Sequence, residues 1–244
     1  MKAMILAAGL GTRLRPLTND RPKALVELNG RTLLEITIER LKSFGIREMI
    51  VNVHHFADLV VSYLKANADF GIRIEVSRED DLLLDTGGGL KKAAWFFGGD
   101  EPFLLHNVDI LSDIPLLQMG QMHRASKALA TLAVQKRETS RYLLFDEHML
   151  LCGRRLLKEN CEEIARSAGH FEPLAFSGIH IISPRLLPKI HEHGAFSIIN
   201  VYLRLVSQGE SINGFRADDY YWRDLGRLSD LEEASQDLRS GKTT

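Results

Sequence analysis

The chain has 244 residues, 45% of them apolar and 26% charged, which is ordinary globular composition and enough chain for one sizeable core. A formal net charge of -1 removes the footprint of a polyanion binder, so no nucleic-acid partner is expected. No apolar run approaches the roughly 18 residues of a membrane span, and Cys152 and Cys161 form no CxxC pair, so neither a membrane anchor nor a zinc ribbon nor a thioredoxin-like site is expected.

Taken in chain order, Ala3–Ala8 is a short uninterrupted apolar run, as in a strand buried on both faces. It flows into a Gly/Arg loop and not into a cleavage site, so it is not read as a signal peptide. With two free thiols this fits a reducing, cytoplasmic setting. Leu33–Phe44 has helical spacing, with Gly45 as its C-cap. Met49–Val53 reads as a second buried strand, 57–66 as a helix and 72–76 as an alternating strand. A glycine-rich loop opens at Gly87 and becomes a helix through Phe97, with Leu90, Ala93, Ala94 and Phe97 inward. Phe103–Val108 is the next strand, 115–126 a helix with Asp113 as its N-cap, and 128–135 a strand. Arg141–Leu151 reads as a hairpin around Asp146 and Glu147, 175–182 as a strand, 203–208 as the end of a helix, and 211–216 as the start of the last strand. The tail from Ser240 is expected to be loose.

This rhythm of strand and helix predicts an α/β fold with a mostly parallel sheet flanked by helices. No linker or repeat divides it. We expect a single domain over 1–240, with a smaller β subregion over about 140–220.

The chemistry concentrates first in Leu6-Ala7-Ala8-Gly9-Leu10-Gly11-Thr12-Arg13-Leu14-Arg15-Pro16-Leu17-Thr18, followed by Arg21-Pro22-Lys23. Open α/β sheets bind ligands at the carboxyl ends of their strands, and this loop leaves such an end. Gly9 and Gly11 let backbone N–H groups converge on an anion. Arg13 can grip phosphate bidentately and Lys23 can act as a mobile point charge. A dinucleotide fingerprint is excluded because Leu14 stands where a third glycine belongs, and the run Gly-Lys-Ser/Thr of a phosphate-binding P-loop is absent. Taken alone, the two glycines are equally a tight turn with solvated arginines.

Residues 2–28 resemble the opening signature of the sugar-nucleotide pyrophosphorylases, the nucleoside triphosphate:sugar-1-phosphate nucleotidyltransferases. The resemblance covers about residues 1–235 and implies a Rossmann-like fold of the nucleotide-diphospho-sugar transferase type. It also implies that Ala7, Ala8, Gly9, Gly11, Thr12, Arg13 and Lys23 hold the triphosphate. His106-Asn107-Val108-Asp109 is similar to the family's Asn-Gly-Asp, in which the aspartate is a metal ligand. Val108 replaces the glycine and either narrows the pocket or faces the core. Tyr221-Trp222-Arg223-Asp224-Leu225-Gly226 resembles the late Trp-x-Asp-x-Gly segment, with Arg227 where threonine is usual. Asp224 would bring a second carboxylate to the same Mg²⁺, an ion suited to oxygen ligands shared with phosphates.

Thr86 and Gly87 resemble the loop beside the nucleoside base, and Gly178 the sugar-contacting glycine. Asn107 and Asn200 are assigned to the sugar side. Arg13, Lys23 and Asp109 are the implied catalytic residues. His54 and His55 read as rim residues or as substrate contacts, and His106 as a buried, hydrogen-bonded group or a participant.

The expected partners are therefore an NTP and a sugar 1-phosphate, acting on a monomer or homodimer. Within the family the resemblance is strongest to the N-acetylmuramate 1-phosphate uridylyltransferase branch. GTP- or dTTP-dependent relatives remain as alternatives, as do a glycosyltransferase using a preformed nucleotide sugar and a nucleotide-sensing module without turnover.

Overall fold

The computed structural model describes residues 1–242. Its strands in chain order are β1 (Ala3–Leu6), β2 (Glu27–Leu28), β3 (Arg31–Thr32), β4 (Glu48–Val53), β5 (Arg73–Arg78), β6 (Phe103–Asn107), β7 (Ile110–Ser112), β8 (Ala130–Gln135), β9 (Arg141–Phe145), β10 (Leu151–Leu156), β11 (Cys161–Ile164), β12 (Glu172–Ile182), β13 (Ile212–Arg216) and β14 (Trp222–Asp224). The helices are α1 (Leu33–Ser43), α2 (Ala57–Ala66), α3 (Asp85–Ala93), α4 (Leu116–Ser126), α5 (Ile198–Ser207) and α6 (Leu228–Arg239).

A 10-stranded sheet runs in the order β11-β10-β9-β12-β6-β1-β4-β5, with β8 branching from β12 and carrying β13. It is a mixed sheet. The parallel pairing expected from the strand–helix rhythm holds for β5-β4-β1-β6 and for β8-β13. From β12 outward the pairs are antiparallel. The β subregion expected over 140–220 continues this sheet: β9, β10 and β11 extend its edge, while β12 lies in its middle.

Alternation along β1 builds both faces of the core at once. Ala3 and Ile5 join the apolar cluster beneath α1, α2, α4 and α6, whereas Met4 joins the one beneath α3 and α5. All three are fully buried, and each of the larger two contributes about 1.5–3 kcal/mol by leaving water. Thr32 caps α1 by accepting from the Glu35 N–H at 3.1 Å. Phe44 ends it, and Gly45 follows at φ 81°, the left-handed residue that glycine adopts without strain.

Four expectations are corrected. The triple glycine is not a loop but the first turns of α3, which starts at Asp85. A Cβ on Gly87 would lie 2.5 Å from the Phe196 ring, on Gly88 2.5 Å from the Gly194 carbonyl oxygen, and on Gly89 2.8 Å from Asn52 and Glu79. Close packing, not flexibility, requires glycine there. Second, Asp113 does not cap α4; Pro115 occupies that position in an extended conformation with no side-chain cap. Third, the last strand is β14, followed by α6, neither of which was expected. Finally, of the tail expected to be loose, Ser240–Lys242 turns back so that Lys242 Nζ donates to Asp237 Oδ1 at 3.1 Å, and residues 243 and 244 lie outside the described residues. Among the described residues, no helix is long and apolar enough to cross a membrane. Cys152 is buried, Cys161 exposed, and both are free.

Candidate active site

β1 sits between β4 and β6, both parallel to it, so the connections leaving its neighbours diverge at its carboxyl end. A crevice opens there for geometric reasons. It is a cavity of about 500 Å³ whose wall includes Ala7, Ala8, Gly9, Gly11, Thr12, Arg13, Lys23, Thr86, Asn107 and Asp109. The loop after β1 is held in shape by its own groups. Gly11 adopts φ 64°, its carbonyl accepts from the Leu14 N–H at 2.9 Å and from Thr18 Oγ1 at 2.9 Å, and Leu14 anchors the turn in the core. A Cβ at Gly11 would stand 3.0 Å from both Lys23 Cβ and Thr18 Cγ2, so this glycine lets the loop and the lysine pack together. Arg13 lies exposed on the loop, while Lys23 is only 7% exposed.

Asp109 follows β6 directly, and Lys23 Nζ donates to its Oδ2 in an ion pair. Asp224 reaches the same place from the far end of the sequence. β14 pairs with β7 so that Asp224 stands opposite Ile110, and the Leu225 N–H donates to the Asp109 carbonyl at 2.8 Å. The two carboxylates feel each other. Burial raises the Asp224 pKa, and the charge of Asp109 raises it further, against the lowering effects of Lys23 and Arg13. Asp224 Oδ1 is buried without a hydrogen-bond partner. Gly226 completes the turn, because a Cβ there would meet Arg13 Nη2 at 2.7 Å and Asp224 Oδ1 at 2.8 Å.

An orphaned carboxylate oxygen beside a second carboxylate is costly without a cation. The donor set fits a hard divalent ion that takes its remaining ligands from water and phosphate. Among the described residues no group of three or more His, Cys, Asp or Glu gathers, so the protein alone does not enclose such an ion.

The remaining expected residues are placed unevenly. Thr86 lines the cavity while its Oγ1 accepts from the Ile198 N–H at 3.0 Å. Gly87 does not line it: its N–H donates to the Phe196 carbonyl at 2.9 Å and its α-carbon packs on the Phe196 ring. Gly178, at φ 74° in the irregular stretch of β12, lies against Asn107, where a Cβ would come within 2.9 Å of Asn107 Nδ2. Asn200 is exposed and outside the cavity wall, and its Oδ1 accepts from Arg154 Nη1 at 2.8 Å. Val108 lies in the apolar core and is 4% exposed, so its bulk is absorbed largely there, though it still touches the cavity wall. Arg227 is exposed at the head of α6. His54 forms a hydrogen bond with the Glu79 carbonyl and, with His55, lines a separate open depression. His106 is buried with its Nδ1 on the Asn107 carbonyl at 2.7 Å, and burial lowers its pKa to about 3.

A buried polar residue in the wall, Asn52, was not among the expected site residues. Asn52 Oδ1 accepts from the Ala7 N–H at 2.7 Å, and its Nδ2 donates to Glu79 Oε1 at 2.7 Å. Glu79 Oε2 in turn accepts from the Leu84 N–H at 2.8 Å. This buried network ties the start of the glycine loop to the approach of α3. Its sequence signal was a lone amide at the end of an otherwise apolar strand.

Residues 2–144 match the family described as nucleotidyl transferase. The N-acetylmuramate alpha-1-phosphate uridylyltransferase of Caulobacter vibrioides is 36% identical over 214 residues, 85% of each chain. A mannose-1-phosphate guanyltransferase of Aspergillus fumigatus is 31% identical over 236 residues, covering 95% of this chain but 62% of the longer relative. In fold, the chain is similar to a putative glucose-1-phosphate thymidylyltransferase of Bacillus anthracis, with a TM-score of 0.82, 17% identity, and coverage of 100% of this chain and 97% of that one. The chain belongs to the nucleotidyl transferase family.

Proposed function

We propose that this nucleotidyl transferase joins UTP to N-acetylmuramate 1-phosphate or a closely related hexose 1-phosphate, releasing pyrophosphate and a nucleotide sugar. The observation that carries the reaction type is the meeting of Asp109, Asp224, Lys23 and Arg13 at the mouth of the glycine loop, on the carboxyl end of β1. The choice of uridylate and of an N-acetylmuramate-type acceptor is supported by the Caulobacter relative, which matches along 85% of both chains.

In this reading the phosphate oxygen of the sugar attacks the α-phosphorus, in line with departing pyrophosphate. That oxygen is already anionic, so no general base is required, and the barrier is mainly anion repulsion and poor alignment. The amides of the loop and Arg13 hold the β- and γ-phosphates, while Lys23 moves from Asp109 toward the reacting phosphate as charge develops. Asp109 and Asp224 would hold Mg²⁺, which when bound would offset the negative charge of the phosphates. Thr86 borders the base and Asn52 fixes the first loop amides. Asn107 and Gly178 form the sugar side.

The test is pyrophosphate release from the purified chain with Mg²⁺, over a matrix of UTP, dTTP, GTP, CTP and ATP against sugar 1-phosphates. Release that needs both partners and is strongest with UTP and N-acetylmuramate 1-phosphate is the expected result. Selectivity for another pair would sink the substrate assignment. Tight nucleotide binding with no release from any pair would sink the reaction.

A further inference from the structure

The sugar side contains a cation that the chemistry above does not use. Arg137 follows the end of β8, and its guanidinium lies 3.7 Å from the centre of the Trp222 ring. Nη2 donates to the Phe176 carbonyl at 2.7 Å, whereas Nε is buried with no partner. Burial lowers the Arg137 pKa, a cost that the charge of Asp224 only partly offsets. An unpaired, partly buried cation is expensive for a fold to keep without a use.

Its position indicates that use. Trp222 is two residues before Asp224 on β14, so the two side chains leave the strand on the same face. Trp222 Nε1 donates to the Ser177 carbonyl at 2.8 Å, next to Gly178, which abuts Asn107. A chain of contacts thus runs from Asn107 in the cavity wall through Gly178 and Ser177 to the stacked Arg137–Trp222 pair. Arg137, like Trp222, Asp224 and Gly178, is absent from the wall of the cavity that contains Lys23 and Asp109; in the proposed reaction Lys23 already serves the reacting phosphate, which leaves Arg137 for another acid group. A guanidinium held over an indole, with Nη2 on the Phe176 carbonyl and Nε buried, keeps its Nη1 end for an anion such as a carboxylate.

We propose that Arg137 is a specificity residue that receives a carboxylate borne by the sugar, so that the preferred acceptor is an acidic sugar 1-phosphate. The inference rests on the reading of the chain as a sugar 1-phosphate nucleotidyltransferase and names the acceptor class. The rival role is structural: Arg137 staples the segment after β8 to β12 through Phe176.

The test is calorimetric binding to the full chain with Mg²⁺, with and without a non-hydrolysable UTP analogue, using two matched pairs of probes. These are N-acetylmuramate against N-acetylglucosamine 1-phosphate and glucuronate against glucose 1-phosphate. On at least one pair the acidic sugar should bind about tenfold or more tighter, the scale of one charge-assisted contact. Arg137→Gln should erase that preference while leaving affinity for the neutral probe within about threefold, and Arg137→Lys should restore part of it. No acid preference in the wild type, including no binding of any probe, overturns the proposal. So does an equal loss for acidic and neutral sugars in Arg137→Gln, which is what a staple would give. A wild type that prefers the acidic probe yet releases no pyrophosphate with any substrate pair would sink the proposed reaction and leave the role of Arg137 standing.

Discussion

The two sides proposed for the substrates are built differently. The side proposed for the nucleotide is made of one continuous stretch, from β1 through the glycine loop to Lys23, laid across the parallel half of the sheet. The side proposed for the sugar is assembled where the sheet turns antiparallel, from β6, the irregular part of β12, and β14, which belongs to a separate two-stranded pairing with β7. Parallel strands deliver all their loops to one end, so a single loop with its neighbours can cradle a triphosphate. Antiparallel strands alternate their ends, and a binding wall there must be gathered from distant segments.

Substitutions should separate the two. The largest effects are expected where the sides meet: Lys23→Ala or Asp109→Asn should lower kcat by about 100-fold or more, the scale of losing a preorganised charge contact. Near-normal steady-state turnover in folded variants would refute those roles. Asp224→Asn should slow turnover on a similar scale while making the free protein more stable. Here the folded pKa is raised, so the native state loses its proton less readily than the unfolded chain. Stability therefore falls as pH rises from the ordinary aspartate value through the folded one, and the cost persists at neutral pH. Removing the charge should raise the unfolding temperature by about 2–4 °C, the equivalent of about 1 kcal/mol in a chain of this size; calorimetry showing a drop would contradict this account.

Gly178→Ala should act on the sugar alone. It forces a side chain into a positive-φ position against Asn107, and we expect kcat/KM for the sugar phosphate to fall about tenfold with KM for the nucleotide unchanged. A matching loss on the nucleotide would erase the division between the sides. Asn52→Ala should do the reverse, raising the nucleotide KM by about fivefold through loss of one buried hydrogen bond to the glycine loop. The smallest effect is on pH. The acid limb of kcat/KM should fall at a pH above the ordinary aspartate value, because protonated Asp224 no longer serves as a ligand, and Asp224→Asn should remove that limb from the residual activity.

The same contrast explains what could be read from the residues. The glycine loop stood out because glycines, arginine and lysine fall within 23 residues, but taken alone it read equally as a tight turn, and the resemblance gave it its expected chemistry. Asp224 was reachable only by resemblance. Nothing local pairs it with Asp109, and β14 is three residues long. Glycine costs about 1 kcal/mol in a helix, so Gly87–Gly89 read as a loop until the packing of Phe196, Gly194 and Asn52 against their bare α-carbons is seen. α6 escaped notice because its sequence, LSDLEEASQDLR, is mostly charged and polar and buries only Leu231, Ala234 and Asp237. Asn52 carried only the signal of an amide near the end of an apolar strand, and Arg137 carried none. Their significance comes from what the fold places beside them.

The seam between β14 and β7 has a consequence in time. A ribosome makes the loop, Lys23 and Asp109 well before Asp224. Until Asp224 is made, Asp109 stands beside Lys23 with no second carboxylate. Arg223, bonded to Asp237 Oδ2 at 2.6 Å and to the Tyr221 hydroxyl at 3.1 Å, ties β14 to α6. The second carboxylate is therefore held from both sides, by the pairing of β14 with β7 and by α6, so on the proposed function a chain that breaks off before α6 would hold its metal pair less firmly.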